Sequence, residues 1–247
     1  MTVTHHLRSI AARLLEPVAG RHQNALRRLL ADPVRLVRID AAWALRDRLD
    51  LSSEAGRDLA GYLEQNADQP AGAWRLAVFH QDRGDLDAAR RWLRHGSRLD
   101  PRSAELARQT AWLERRAGDR GASLAALRRA RDLAPGDAGI AFELALLLAE
   151  DGSVEALAES ESLLARAVEI DPGHARAWYD LGLVRERRGA PGPGLEAIDE
   201  ALRLSPEEPD FLLARASLLR RLGREREAIE AENAAGRARR AREGSGW

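Results

Sequence analysis

Four prolines pace this chain: Pro101, Pro135, Pro172 and Pro206, separated by 34, 37 and 34 residues. Each closes a similar phrase, SRLDP, RDLAP, VEIDP and LRLSP. Upstream of each lies a glycine, Gly84, Gly118, Gly152 and Gly189, which sits 17, 17, 20 and 17 residues before its proline. A fifth glycine, Gly223, follows Gly189 by 34. Proline cannot continue a helix, and glycine adopts the left-handed backbone that a tight turn needs. The unit is therefore helix, glycine turn, helix, proline stop. A period in this range is the mark of stacked repeats.

Composition agrees with helices. Ala, Leu and Arg dominate, aromatic residues make up only 4% of the 247, and the β-branched and aromatic types that build sheets are sparse. The repeat length and residue pattern resemble the tetratricopeptide repeat (TPR) family. The fourth unit carries the likeness most fully: Trp178, Leu181 and Gly182 in its first helix, Leu195, Ile198 and Ala201 in its second, then Pro206. In the other units Ala77, Ala111, Ala145 and Ala216 hold the small position of the first helix; Gly96, Ala130 and Ala167 hold that of the second. Small residues let two helix backbones approach closely. Thr110 and Arg215 stand where the family has Leu, and Gly194 where it has Ala. The resemblance implies an all-α, right-handed α-solenoid of helical hairpins with repeats at 70–103, 104–137, 138–174, 175–208 and 209–242. The stretch Ala190-Pro-Gly-Pro-Gly194 suggests a loose fourth turn, with its second helix starting near Leu195. The last helix, about 225–242, reads as a charged solvated cap, and 243–247 as a disordered tail.

The first seventy residues lie outside the 34-residue register. They read as helices near 5–16, 22–31 and 34–48, then a linker helix within 51–69 that Ser52 or Ser53 can cap. The run from Ala25 to Leu45 resembles a HEAT repeat, with Asp32-Pro33 at its turn and Val34, Val37, Ala41 and Ala44 at helical spacing. Residues 1–50 are thus expected to form a short HEAT-like segment. The order of HEAT-like segment, linker and TPRs also resembles the C-terminal region of bacterial multihaem c-type cytochrome proteins. That resemblance implies, as an alternative function, an accessory repeat arm of such a redox protein. Because no Cys is present, no haem-attachment residue carries over.

In a TPR solenoid the first helix of each hairpin lines the concave groove. The register places Trp74, Val78, Arg108, Trp112, Arg115, Phe142, Leu146, Arg176, Tyr179, Leu183, Arg187, Leu213 and Arg220 there. Aromatics interleaved with Arg suit a protein or peptide partner bearing acidic and apolar groups. All 39 basic residues are Arg. The Lys and Asn that chaperone-adaptor TPR domains use to clamp a terminal carboxylate are missing at the matching positions, which hold Val78, Trp112, Leu146 and Leu183.

Other chemistry finds little support in the residues. Formal net charge is +0, with 39 acidic residues, which argues against a nucleic-acid partner. None of the six His has a ligand partner at i, i+4, and no Gly-rich phosphate loop with its Lys occurs. The Arg-rich run Gly236–Arg242 reads as a solvated helix end. Neither a cofactor, a metal nor a catalytic residue is expected. No apolar run has membrane-span length, and Met1–Val18 lacks a signal-peptide layout. The chain as given therefore reads as cytoplasmic, or as periplasmic if it belongs to a longer exported protein.

Overall fold

The four stop prolines and the five turn glycines each fall at or just beyond a helix end in the computed structural model, which describes residues 19–244. Thirteen helices and no strands occur among the described residues. They are α1 (Ala19–Leu29), α2 (Arg35–Ala44), α3 (Glu54–Gln65), α4 (Pro70–Asp82), α5 (Leu86–Leu99), α6 (Ala104–Arg116), α7 (Arg120–Leu133), α8 (Ala138–Ala149), α9 (Val154–Ile170), α10 (Ala175–Arg187), α11 (Pro191–Leu204), α12 (Pro209–Arg221) and α13 (Glu225–Gly244). The helix expected near 5–16 lies outside the described residues. The chain divides into two units, Met1–Ser123 and Leu124–Trp247.

The turn glycines all lie in the left-handed region, at φ 82, 80, 77, 80 and 74° for Gly84, Gly118, Gly152, Gly189 and Gly223. At four of them the next residue's N–H reaches back five residues to close the helix: Asp85 to His80, Asp119 to Glu114, Ala190 to Arg185 and Arg224 to Leu219, each at 2.9 Å. After Gly152 the closure differs. Ser153 N–H binds the Asp151 carboxylate at 3.2 Å, and the Ser153 hydroxyl caps α9 through Ala156 N–H at 3.3 Å. The three additional residues of this unit extend α9 to 17, against 14 in α5, α7 and α11. Three residues are nearly one helical turn, so the buried face of α9 stays in register. The proline stops fall two residues beyond α5, α7, α9 and α11.

In the first unit Leu26 packs with Ala41, Ala44 and Leu45, while Ile39, Ala42, Leu59, Leu63, Leu76 and Phe79 form a second cluster. Val37, Ala41 and Ala44 are buried, so the expected stripe on α2 faces inward; Val34 is its half-buried N-cap. Of the two candidate serines, Ser53 caps α3, accepting Gly56 N–H at 3.0 Å. Arg38 ties α2 to α3 by pairing with Asp58 at 2.7 Å and Glu54 at 3.0 Å.

Each hairpin closes on a pair of small residues. Ala77 and Ala89 share one cluster in the first unit; Ala216 and Ala228 share one in the second. Between α6 and the start of α7 the buried Ser123 hydroxyl donates to Ala111 O at 2.8 Å, and between α8 and α9 Ser160 donates to Ala145 O at 2.8 Å. These bonds satisfy hydroxyls that burial would otherwise penalise. Where the family has Ala, Gly194 faces Gly182: a Cβ on either would stand 2.9 Å from the other's carbonyl oxygen.

The fourth turn corrects the sequence expectation. α11 begins at Pro191, not near Leu195, with Ala190 as its N-cap. Both prolines occupy the first turn, where the missing N–H has no helical partner to lose. The last helix is solvated on one side only, since Ala228, Ala231 and Ala235 are buried.

A Cβ at Gly182 would also meet Ile198 at 2.7 Å. Gly182→Ala should therefore destabilise the chain by about 1–3 kcal/mol through overpacking, outweighing the gain from replacing a helical glycine. Chemical denaturation reads this directly; a variant as stable as the parent would mean that α10 and α11 are looser than described.

Candidate partner-binding site

The first helices of the hairpins are α4, α6, α8, α10 and α12, and every residue expected in the groove lies on one of them. Trp74, Val78, Arg108, Trp112 and Arg115 belong to the first unit; Phe142, Leu146, Arg176, Tyr179, Leu183, Arg187, Leu213 and Arg220 belong to the second.

In the first unit, α6 is capped by Ser103 through Leu106 N–H at 3.2 Å, and its inward face is Leu106, Ala107, Ala111 and Leu113. That registration turns Trp112 outward, where half of it (50%) is exposed. The guanidinium over its ring belongs to Arg116, one turn on, at 5.7 Å. Arg116 was not singled out from sequence, although its i+4 spacing from Trp112 was visible. Arg108, one turn before Trp112, pairs with Glu105 at 3.1 Å, and Arg115 is exposed. Trp74 differs from Trp112. It packs against the cluster of Ala77, Leu93, Leu106 and Leu113, and its indole N–H is buried without a hydrogen-bond partner. Val78 is half-buried.

In the second unit the expected residues are held by their own chain. Phe142 lies against His174 at 4.7 Å, and His174 Nδ1 accepts Ala177 N–H at 3.1 Å to cap α10. Accepting at Nδ1 places the ring proton on Nε2. Tyr179 stacks on Phe211 at 4.7 Å, with the Arg176 guanidinium 4.8 Å from its centroid. Burial pushes the Tyr179 hydroxyl above its ordinary pKa, which keeps it neutral. Arg187 donates to Ala149 O at 2.8 Å, and Arg220 grips Glu232 through two bonds of 2.6 Å. Leu146, Leu183 and Leu213 are half-buried. The surface is thus an apolar one with its cations engaged. His174, Asp180 and Phe211, which sequence reasoning did not choose, complete it.

Among the described residues no group of three or more His, Cys, Asp or Glu is placed to hold a metal ion, and no helix is long and apolar enough to cross a membrane.

Comparison with known proteins supports the fold. No family model matches the chain. Among solved structures, a MamA protein superimposes with a TM-score of 0.65 at 17% identity, covering 74% of this chain and 97% of the other. MamA from Desulfovibrio magneticus RS-1 gives 0.63 at 20% identity, covering 70% and 96%. PilF of Pseudomonas aeruginosa gives 0.57 at 21%, covering 72% and 78%. The chain therefore has an all-helical, TPR-like solenoid fold. Two curated relatives are similar over a shorter stretch. The peroxisomal targeting signal receptor of Kluyveromyces lactis is 33% identical over 73 residues, and that of Pichia angusta 36% over 67. These cover 30% and 27% of this chain but only 12% and 11% of the receptors' own length.

Asp180 is a strongly buried carboxylate of the second unit, 6% exposed, with Arg176 at 3.0 Å. Burial raises its pKa, and the opposing pull of Arg176 is smaller. The folded chain therefore holds this proton more tightly than the unfolded chain, whose carboxylate titrates near 3.8. The stability that Asp180 contributes is full below that value and is lost as pH rises through the raised one. Asp180→Asn should melt at or above the parent temperature at pH 7, with the gap closing toward pH 4. A lower melting temperature at pH 7 would mean that the Arg176 pair outweighs burial.

Proposed function

We propose that the chain is a non-catalytic interaction module which holds a protein or peptide partner, bearing acidic and apolar groups, on the exposed faces of its first helices. The TPR-like repeats at 70–103, 104–137, 138–174, 175–208 and 209–242, with the HEAT-like segment 1–50 and the linker 51–69, are part of this reading. The observation that carries it is Trp112. It is a tryptophan with half its surface in water, with the Arg116 guanidinium over its ring and Arg108 and Arg115 beside it on the same helix. Aromatic and Arg side chains are the types that dominate the energetics of protein interfaces. The partly exposed Phe142, Leu146, Tyr179 and Leu183 add an apolar surface in the second unit. The likeness to targeting-signal receptors, proteins named for the signals they receive, supports a protein or peptide ligand.

Affinity capture with the intact chain identifies the partner by mass spectrometry, and titration with that purified partner gives its affinity. Trp112→Ala combined with Arg108→Ala should weaken it by about 30-fold or more, the scale of losing an interface hot spot of about 2 kcal/mol. Helicity should not change, since Trp112 is not part of the core. Retention of parent affinity by a fully helical double variant would rule this face out.

A further inference from the structure

We propose that the exposed face of α5 is a second docking surface, separate from the first-helix face, and that it receives an acidic amphipathic helix of a partner protein. Two parallel ridges run along α5. Arg91, Arg94 and Arg98 form one, at positions i, i+3 and i+7; Trp92, His95 and Leu99 repeat the same spacing one residue on. Successive helical residues are rotated by about 100°, so the ridges lie side by side. The three arginines are exposed, Leu99 is 40% exposed, and Trp92 and His95 are half-buried. Trp92 is anchored on its inner side against the clusters of the first unit, and His95 meets it edge-on at 5.7 Å. His95 Nε2 donates to Ala67 O at 3.2 Å, which leaves Nδ1 to accept from Arg98 at 3.4 Å. The apolar ridge is therefore fixed in place.

The basic ridge gathers three arginines on one helix face with no carboxylate partner among the described residues. Elsewhere on these helices several arginines pair with an acid three residues away, as Arg90 does with Asp87, Arg108 with Glu105, Arg203 with Glu200 and Arg224 with Glu227. Among the described residues no carboxylate lies within ion-pair distance of Arg91, Arg94 or Arg98. Like charges at this spacing repel along a helix. A partner supplying carboxylates at the same three- and four-residue spacing removes that repulsion, and an adjoining apolar row covers Trp92 and Leu99. A helix offers both. The ridge is short, about 10 Å from Arg91 to Arg98 at the helical rise. Asp87 precedes it and Asp100 follows it. Those carboxylates interrupt the track that a phosphate backbone needs, and the chain carries no net charge to attract a polyanion. Three basic residues also fall short of the clusters that hold a protein to anionic lipid.

The test uses the full chain and a fluorescein-labelled synthetic helix with Glu at three- and four-residue spacing beside a row of Leu, read by anisotropy at low salt. The parent should bind it. R91E/R94E/R98E should lose at least tenfold in affinity with unchanged helicity, and should regain affinity for a probe in which Lys replaces Glu. Leu99→Ala should weaken the parent complex, and Trp112→Ala should leave it unaltered. Equal binding by the triple variant, loss on Trp112→Ala, or no rescue by the Lys probe would overturn the proposal. So would a parent that ignores the helix yet uses these arginines to bind oligo-dT or phosphatidylglycerol vesicles.

Discussion

Close approach of two helix backbones at each glycine turn is the contact from which the rest of the molecule follows. Small residues face each other at the same register in every hairpin: Ala77 and Ala89, Ala111 and Ser123, Ala145 and Ser160, Gly182 and Gly194, Ala216 and Ala228. Larger side chains there would force the helices apart, and the Leu and Ile residues around them would lose the packing that close approach allows. Where the pair includes serine, the hydroxyl turns to the opposing backbone carbonyl and burial is not penalised. Where both are glycine, the helices meet backbone to backbone. Once this contact is set, each first helix has one face buried and one left over, and the leftover face is where a partner can be met.

Arginine decides what that leftover surface says. With no Lys in the chain, every positive charge is a planar guanidinium suited to paired hydrogen bonds with carboxylates. Many serve to connect neighbouring helices, as Arg90 does with Glu114 at 2.6 Å and Arg221 with Glu186 at 3.1 Å. Arg185 and Arg188 both reach Glu161. The carboxylates of these pairs are largely covered, with Glu114 buried, and the pairs fix which side chains are spoken for. Of the cations chosen from sequence, Arg220 joins its neighbouring helix through Glu232, Arg176 pairs with Asp180 on its own helix, and Arg187 donates to the Ala149 carbonyl. Arg116 over Trp112, and the ridge of Arg91, Arg94 and Arg98, are not matched by carboxylates among the described residues.

Much of this was legible in the residues. Left-handed glycines, proline stops and capping Ser and Asp act through the local backbone, so their meaning survives without knowledge of neighbours. The departures came where local rules allow two outcomes. Proline disrupts a helix interior but suits its first turn, and Pro191 takes the second role in a helix whose Gly194 packs against Gly182. Three added residues could have made a loop; because they nearly complete a turn, helix α9 absorbed them instead. Trp74 and Trp112 are the same residue type on successive first helices, yet one packs into a core cluster and the other faces water.

The sequence by itself determined the helical class, the repeat period and the turns, because each of these rests on what a residue permits its own backbone to do; which small residues meet across a hairpin was decided by the packing of one helix on the next. The tertiary structure alone decided which arginines are bound to carboxylates, which aromatics are sealed, and which faces remain open. Those outcomes depend on side chains brought together from separate helices, and helical spacing describes one helix at a time.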